Sequence, residues 1–205
     1  MSKVTKIVLD NDKFFLDEKN KTSKIDYKII LNKEESDNLY KKLLDKIPWE
    51  QGVYKMYGKE VKTPRLLWAM RDKDFDIKKS YSITESSIWN EDMIILKTKV
   101  ESIINSKKKF KYAQINYYRD GKDYIGWHSD SEVMEGDFIA SVSLGTSRKF
   151  QFMNIENNSI KKELMLDNGS LLVMDQNSAK LNWKHRLPKE TKINDGRINI
   201  TFRLR

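Results

Sequence analysis

The chain has no cysteine. Disulfides, thiolate metal sites and cysteine nucleophiles are therefore excluded, and the composition fits a reducing compartment. Its 205 residues include only three prolines and two histidines. Any imidazole chemistry must run through His128 and His185. No apolar run approaches the roughly 20 residues that a membrane-spanning helix needs. Met1-Ser2-Lys3-Val4 brings charge within a few residues and lacks the apolar stretch of a secretory signal. The expectation is an intracellular protein, cytoplasmic or nuclear and not secreted, monomeric and with no membrane partner. The length suits one domain with an elaborated arm.

What is abundant is positive charge. Lys and Arg number 39 against 30 Asp and Glu, a formal net charge of +9. Two readings stay open. One is a lysine-rich solvated surface. The other is a polyanion partner, because lysines and arginines gain affinity by releasing counterions from phosphates.

Along the chain, Lys6–Leu9 and Tyr27–Leu31 read as short strands. A helix then starts at Asn32, with Glu35 at the capping-box position. Leu39, Leu43, Leu44 and Ile47 give it one apolar face, and Pro48 ends it. Residues 49–88 are irregular, with aromatics and basic residues interleaved. A second helix is expected from about Ser87 to Asn105, with Leu96, Val100, Ile103 and Ile104 inward. From Phe110 the pattern alternates with period two, and strands are predicted near 111–118, 138–144, 149–154, 170–174 and 197–204. Strands so short and numerous suggest a sandwich or jelly roll.

His128 and Asp130 form a His-x-Asp pair, and His185 follows later. Two imidazoles and one carboxylate make the facial triad of non-heme Fe(II) oxygenases, which leaves positions open for substrate and oxygen. On a strand over 197–203, Arg197, Asn199, Thr201 and Arg203 share one face, and Ile198, Ile200 and Phe202 the other. The polar stripe is either a solvated face or a clamp for a dicarboxylate, which arginine binds bidentately. Asn116 and Tyr118 likewise share a face. Singly, each piece has an ordinary explanation: a His beside Trp is more often packed or exposed than a ligand.

In combination, Asn116-x-Tyr118, His128-x-Asp130, His185 and Arg197-x-Asn199-x-x-x-Arg203 resemble the AlkB family of Fe(II)- and 2-oxoglutarate-dependent nucleic-acid dealkylases. Trp127-His128-Ser129-Asp130-Ser131-Glu132 resembles the family's iron loop, and Ile139–Gly145 and Gly169–Met174 its core strands. The likeness spans about residues 45–205 and is densest from 112 onward. Its iron loop and the Trp183–Glu190 segment are most similar to the branch acting on single-stranded DNA and RNA.

The resemblance implies an α+β, mainly β, protein: a double-stranded β-helix (jelly-roll) core with flanking helices and an N-terminal lid. Residues 1–88 would be the extension, helix and lid, and 89–205 the dioxygenase core, in one structural domain. It implies His128, Asp130 and His185 as iron ligands and catalytic centre. Around the cosubstrate it implies Arg197 at the distal carboxylate, supported by Tyr118 and Asn199. Arg203 and Asn116 would stand near the metal-chelating end, with Thr201 on the same strand face. Glu132 would face the exocyclic group of a damaged base. Trp68 and Tyr81 are the choices for base-facing aromatics, against core packing for each. The implied cofactors are Fe(II), 2-oxoglutarate and O2. The implied reaction is oxidative demethylation of 1-methyladenine and 3-methylcytosine in nucleic acid, single-stranded DNA or RNA preferred, releasing succinate, CO2 and formaldehyde. Alternatives are an oxygenase acting on protein or lipid, and a nucleic-acid-binding module that has lost catalysis.

Overall fold

The computed structural model describes residues 4–7, 13–56, 58–77 and 85–205. In chain order the strands are β1 (Val4–Lys6), β2 (Lys13–Phe15), β3 (Lys24–Ile29), β4 (Val53–Met56), β5 (Lys59–Lys62), β6 (Leu66–Arg71), β7 (Ser87–Ile88), β8 (Tyr112–Tyr118), β9 (Ile125–His128), β10 (Phe138–Gly145), β11 (Arg148–Asn154), β12 (Lys161–Leu166), β13 (Ser170–Asp175), β14 (Trp183–Leu187) and β15 (Arg197–Arg203). Helix α1 (Lys33–Lys46) follows β3, and α2 (Glu91–Ile104) follows β7.

Local chemistry sets the helix ends. Asn32 Oδ1 accepts from the Glu35 amide at 2.9 Å, and Glu35 Oε2 accepts from the Asn32 amide at 2.8 Å. This is the expected capping box, a device whose cap alone is worth about 1 kcal/mol. Ile47 is already extended ahead of Pro48, because the proline ring disfavours a helical residue before it. Helix α2 starts later than expected, capped by Asn90 through the Met93 amide. Ser87 and Ile88 instead pair with Met70 and Arg71 of β6. The helix ends at Asn105, left-handed at φ +52°, a conformation asparagine tolerates well.

Thirteen of the strands make two sheets: one of eight, in the order β2-β3-β13-β10-β15-β8-β6-β7, and one of five, β1-β12-β11-β14-β9. They form the jelly-roll core. β4 and β5 form a separate hairpin. β3 and β6, from before residue 88, are hydrogen-bonded into the same sheet as the strands after it.

Three layers result. On one side of the large sheet Ala140, Val142, Leu144, Ile198, Ile200 and Phe202 pack against Leu43, Ile47, Met93, Leu96 and Val100 of the helices. On the other side Ile139, Leu172 and Met174 meet Phe152, Leu164 and Trp183 of the small sheet. Strand alternation turns Arg197, Asn199, Thr201 and Arg203 inward between the sheets, and all seven residues of β15 are buried. The solvated-face reading of that stripe is therefore overturned.

Arg148 is wholly buried and ties two loops together. Its guanidinium donates to the carbonyls of Asp120, Asp123 and Pro188 and to Glu190 Oε2. Gly121 sits where these loops touch; a Cβ there would stand 1.9 Å from the Glu190 carbonyl oxygen. Gly121→Ala is expected to destabilise the protein by about 1–3 kcal/mol, as overpacking against immobile backbone does. Thermal unfolding measures it, and an unchanged midpoint would show that the loops give way freely.

Candidate metal centre and cofactor cavity

His128 ends β9 and His185 lies mid-way along β14, and the two residues are register partners across the pair. Their rings meet edge-on with centroids 4.3 Å apart. Asp130 follows β9 by two residues, its amide donating to the Ala179 carbonyl of the π-helical turn Asn177–Leu181. The ligand atoms of His128, Asp130 and His185 all lie within 4.8 Å of one another.

His128 and Asp130 are in the charge states a divalent cation needs. His128 Nδ1 pairs with the Gly126 carbonyl at 2.8 Å. As the donor there, it leaves Nε2 with a free lone pair. Burial, and then the neighbouring His185, push the His128 pKa down to about 4, so the imidazole is neutral at pH 7. Burial alone would raise the Asp130 carboxyl, but Arg203, His185 and His128 outweigh it and hold it well below the usual carboxylate range. His185 Nε2 stands 3.1 Å from Asp130 Oδ2. That separation fits adjacent ligands of a cation held at about 2.0–2.2 Å from each. His185 Nδ1 is buried with no partner among the described residues. Its ring is set by packing against Phe150, at 5.4 Å. These residues fit a facially bound iron.

A cavity of about 580 Å³ runs from this triad to Arg197. Arg197 is 2% exposed. It donates to Ser143 Oγ at 2.8 Å and stacks on the Tyr118 ring at 5.4 Å. Its Nε has no partner, and no carboxylate pairs with it among the described residues. Burial lowers its pKa to about 10, yet it stays charged at pH 7. A buried cation without a counter-charge is costly, so this end of the cavity fits an anionic ligand such as a carboxylate.

The rest of the stripe is spent partly on the protein. Asn199 Nδ2 donates to Ser141 Oγ and the Val142 carbonyl, and its Oδ1 accepts from Thr201. Arg203 donates to Asp130 Oδ1 at 3.0 Å and also pairs with Glu132. Its guanidinium therefore bridges two carboxylates. Beyond this bridge lies a second cavity of about 540 Å³, lined by Glu132, Tyr112, Phe75 and Arg205 among others. Gln114, Asp130 and Arg203 line both cavities and form their shared wall.

The structure places Trp68 apart from the other site residues. It pairs with Ile115 and packs with the helix-side core, and it is absent from the lining of both cavities. Alternation along β6 gives the inward face to Leu67, opposite Asn116. Tyr81 lies outside the described residues. Sequence reasoning assigned no role to Arg65 or Phe150, which both line the first cavity. Nothing local in the sequence marked Phe150.

Residues 27–203 match the 2OG-Fe(II) oxygenase superfamily. The bovine alpha-ketoglutarate-dependent dioxygenase alkB homolog 3 is 29% identical over 180 residues, covering 83% of this chain and 62% of that protein. The bovine DNA oxidative demethylase ALKBH2 is 30% identical over 190 residues, covering 87% of this chain and 67% of that protein. The chain thus spans less than two thirds of the length of the homolog 3 relatives it matches. The solved structure of OsALKBH1 shares the fold, with a TM-score of 0.60 at 14% identity over 87% of this chain and 97% of that one. With a jelly roll that converges two histidines and an aspartate, and a likeness that runs through most of its length, the chain belongs to the AlkB family of 2OG-Fe(II) oxygenases.

Proposed function

We propose that the chain is an oxidative demethylase of N-alkylated bases in nucleic acid, acting on 1-methyladenine and 3-methylcytosine and preferring single strands. Its family's cofactors are Fe(II), 2-oxoglutarate and O2. On this reading His128, Asp130 and His185 hold the iron, and Arg197 holds the far carboxylate of 2-oxoglutarate. Asn116, Tyr118, Asn199, Thr201 and Arg203 wall the cosubstrate, and Glu132 faces the base. The observation that carries the reading is the unpaired, buried Arg197 opening onto the same cavity as the triad.

The chemistry that bound iron supplies is oxidation of the N-alkyl carbon, with formaldehyde, succinate and CO2 as products. The protein's own part is positional. Arg203 keeps Asp130 ionised and aimed. Phe150 backs His185 with apolar surface. Glu132, at the second cavity, offers an anionic acceptor to a methylated base that is cationic and carries an exocyclic amine. The base must leave its stack to reach the centre, which costs a few kcal/mol in a duplex and less in a single strand. The charge of +9 supports a polyanionic substrate, as do the names of the relatives.

The test is one lesion in one oligonucleotide, first single-stranded and then annealed, read by mass spectrometry. Demethylation that requires both Fe(II) and 2-oxoglutarate, faster on the single strand, is the expected result. Faster repair of the duplex would remove the strand preference. Succinate formed on methylated peptides or lipids, with none on oligonucleotides, would remove the substrate class.

A further inference from the structure

We propose that Arg65 is a positioning residue of the cosubstrate site, setting the side-chain amide of Asn116. The inference rests on the reading in which Asn116 contacts 2-oxoglutarate.

Arg65 arrives on a pinned backbone. The Thr63 hydroxyl donates to its carbonyl at 2.9 Å, and the Tyr124 amide donates to the carbonyl of Pro64 at 3.1 Å. The residue is 8% exposed and lines the first cavity with Asn116 and His128. No carboxylate pairs with it among the described residues; its Nε donates to Asn116 Oδ1 at 2.8 Å.

An arginine can only donate, whereas an asparagine amide has an accepting and a donating end. With Oδ1 turned to Arg65, the Nδ2 group of Asn116 is turned away as a donor. No protein acceptor holds that group among the described residues. Asn116 lies on the inward face of β8, opposite Asn199 of the β15 stripe. Its N–H groups are thus left for an oxygen of a ligand in the cavity. Without Arg65 the amide is free to flip and present an oxygen to an anion, which repels it. A segment far from the triad in sequence thereby fixes the polarity of the cavity wall.

The test is anaerobic calorimetry of the Fe(II)-loaded protein with 2-oxoglutarate, for Arg65→Met, Arg65→Lys, Asn116→Leu and the Met/Leu double variant. Arg65→Met is expected to weaken binding about tenfold, the order of one charged hydrogen bond. Arg65→Lys should recover part of that loss, and it serves alone if the methionine variant does not fold. The double variant should bind no more weakly than Asn116→Leu, the sign of two residues acting as one. Fe(II) affinity measured without 2-oxoglutarate should not move, whereas a general structural loss would move it. Additive losses, or unchanged binding in Arg65→Met, would overturn the inference while Asn116 kept its role. An Arg65→Met variant that loses affinity only for an unmethylated oligonucleotide would assign the cation to the nucleic acid instead. Unchanged binding in Asn116→Leu would overturn the underlying reading and the inference with it.

Discussion

Asp130→Ala is expected to leave no measurable succinate formation and to weaken Fe(II) binding by orders of magnitude. Asp130 is the only carboxylate of the convergent triad, and it is held ionised chiefly by Arg203. His128→Ala and His185→Ala should behave alike, because each removes one of three proposed ligands. The fold should survive. Arg203 keeps Glu132 as a partner when Asp130 is lost, so no cation is stranded, and far-UV circular dichroism should match the wild type. Anaerobic Fe(II) titration and a succinate assay check the expectation. Wild-type turnover in any of the three variants would show that the ligand set is wrong.

Arg197→Met should separate binding from stability in opposite directions. Each charged hydrogen bond to a carboxylate is worth about 1.5–3 kcal/mol, and about 1.4 kcal/mol is tenfold in affinity. The dissociation constant of 2-oxoglutarate should therefore rise by about two orders of magnitude. The ligand-free protein should meanwhile unfold at a higher temperature, since a buried, unpaired guanidinium is replaced by an apolar chain of similar length. Calorimetry and thermal unfolding measure the two effects. Unchanged 2-oxoglutarate affinity would refute the clamp.

Much of this was legible because the relevant information is local. The Asn32–Glu35 box spans one turn, and the alternation of Arg197, Asn199, Thr201 and Arg203 lies within one strand. The branched Ile198 and Ile200 on the other face of that strand marked its core side, while the polar side stayed open between solvent and a ligand until burial decided it. Trp68 shows where this fails. Leu66-Leu67-Trp68-Ala69-Met70 is apolar on both faces, so period two marks a strand without saying which face looks inward. Arg65 was not assigned because its partner is 51 residues away, and contacts at that separation leave no periodic trace. The pairing of β9 with β14 is equally non-local: four and five residues long, the two strands carry too little pattern to announce each other.

That pairing has a thermodynamic corollary. Among the described residues β9 is a margin of the small sheet, zipped to one neighbour only, and its last residue is His128. Sliding it by a single position against β14 would set Trp127 or Ser129 across from His185 and turn the imidazole to the wrong side. With the proposed ligand set, a cation gripping both histidines would fasten the zipper at the one alignment that brings them together, and iron occupancy and the order of residues 125–128 would be a single linked equilibrium.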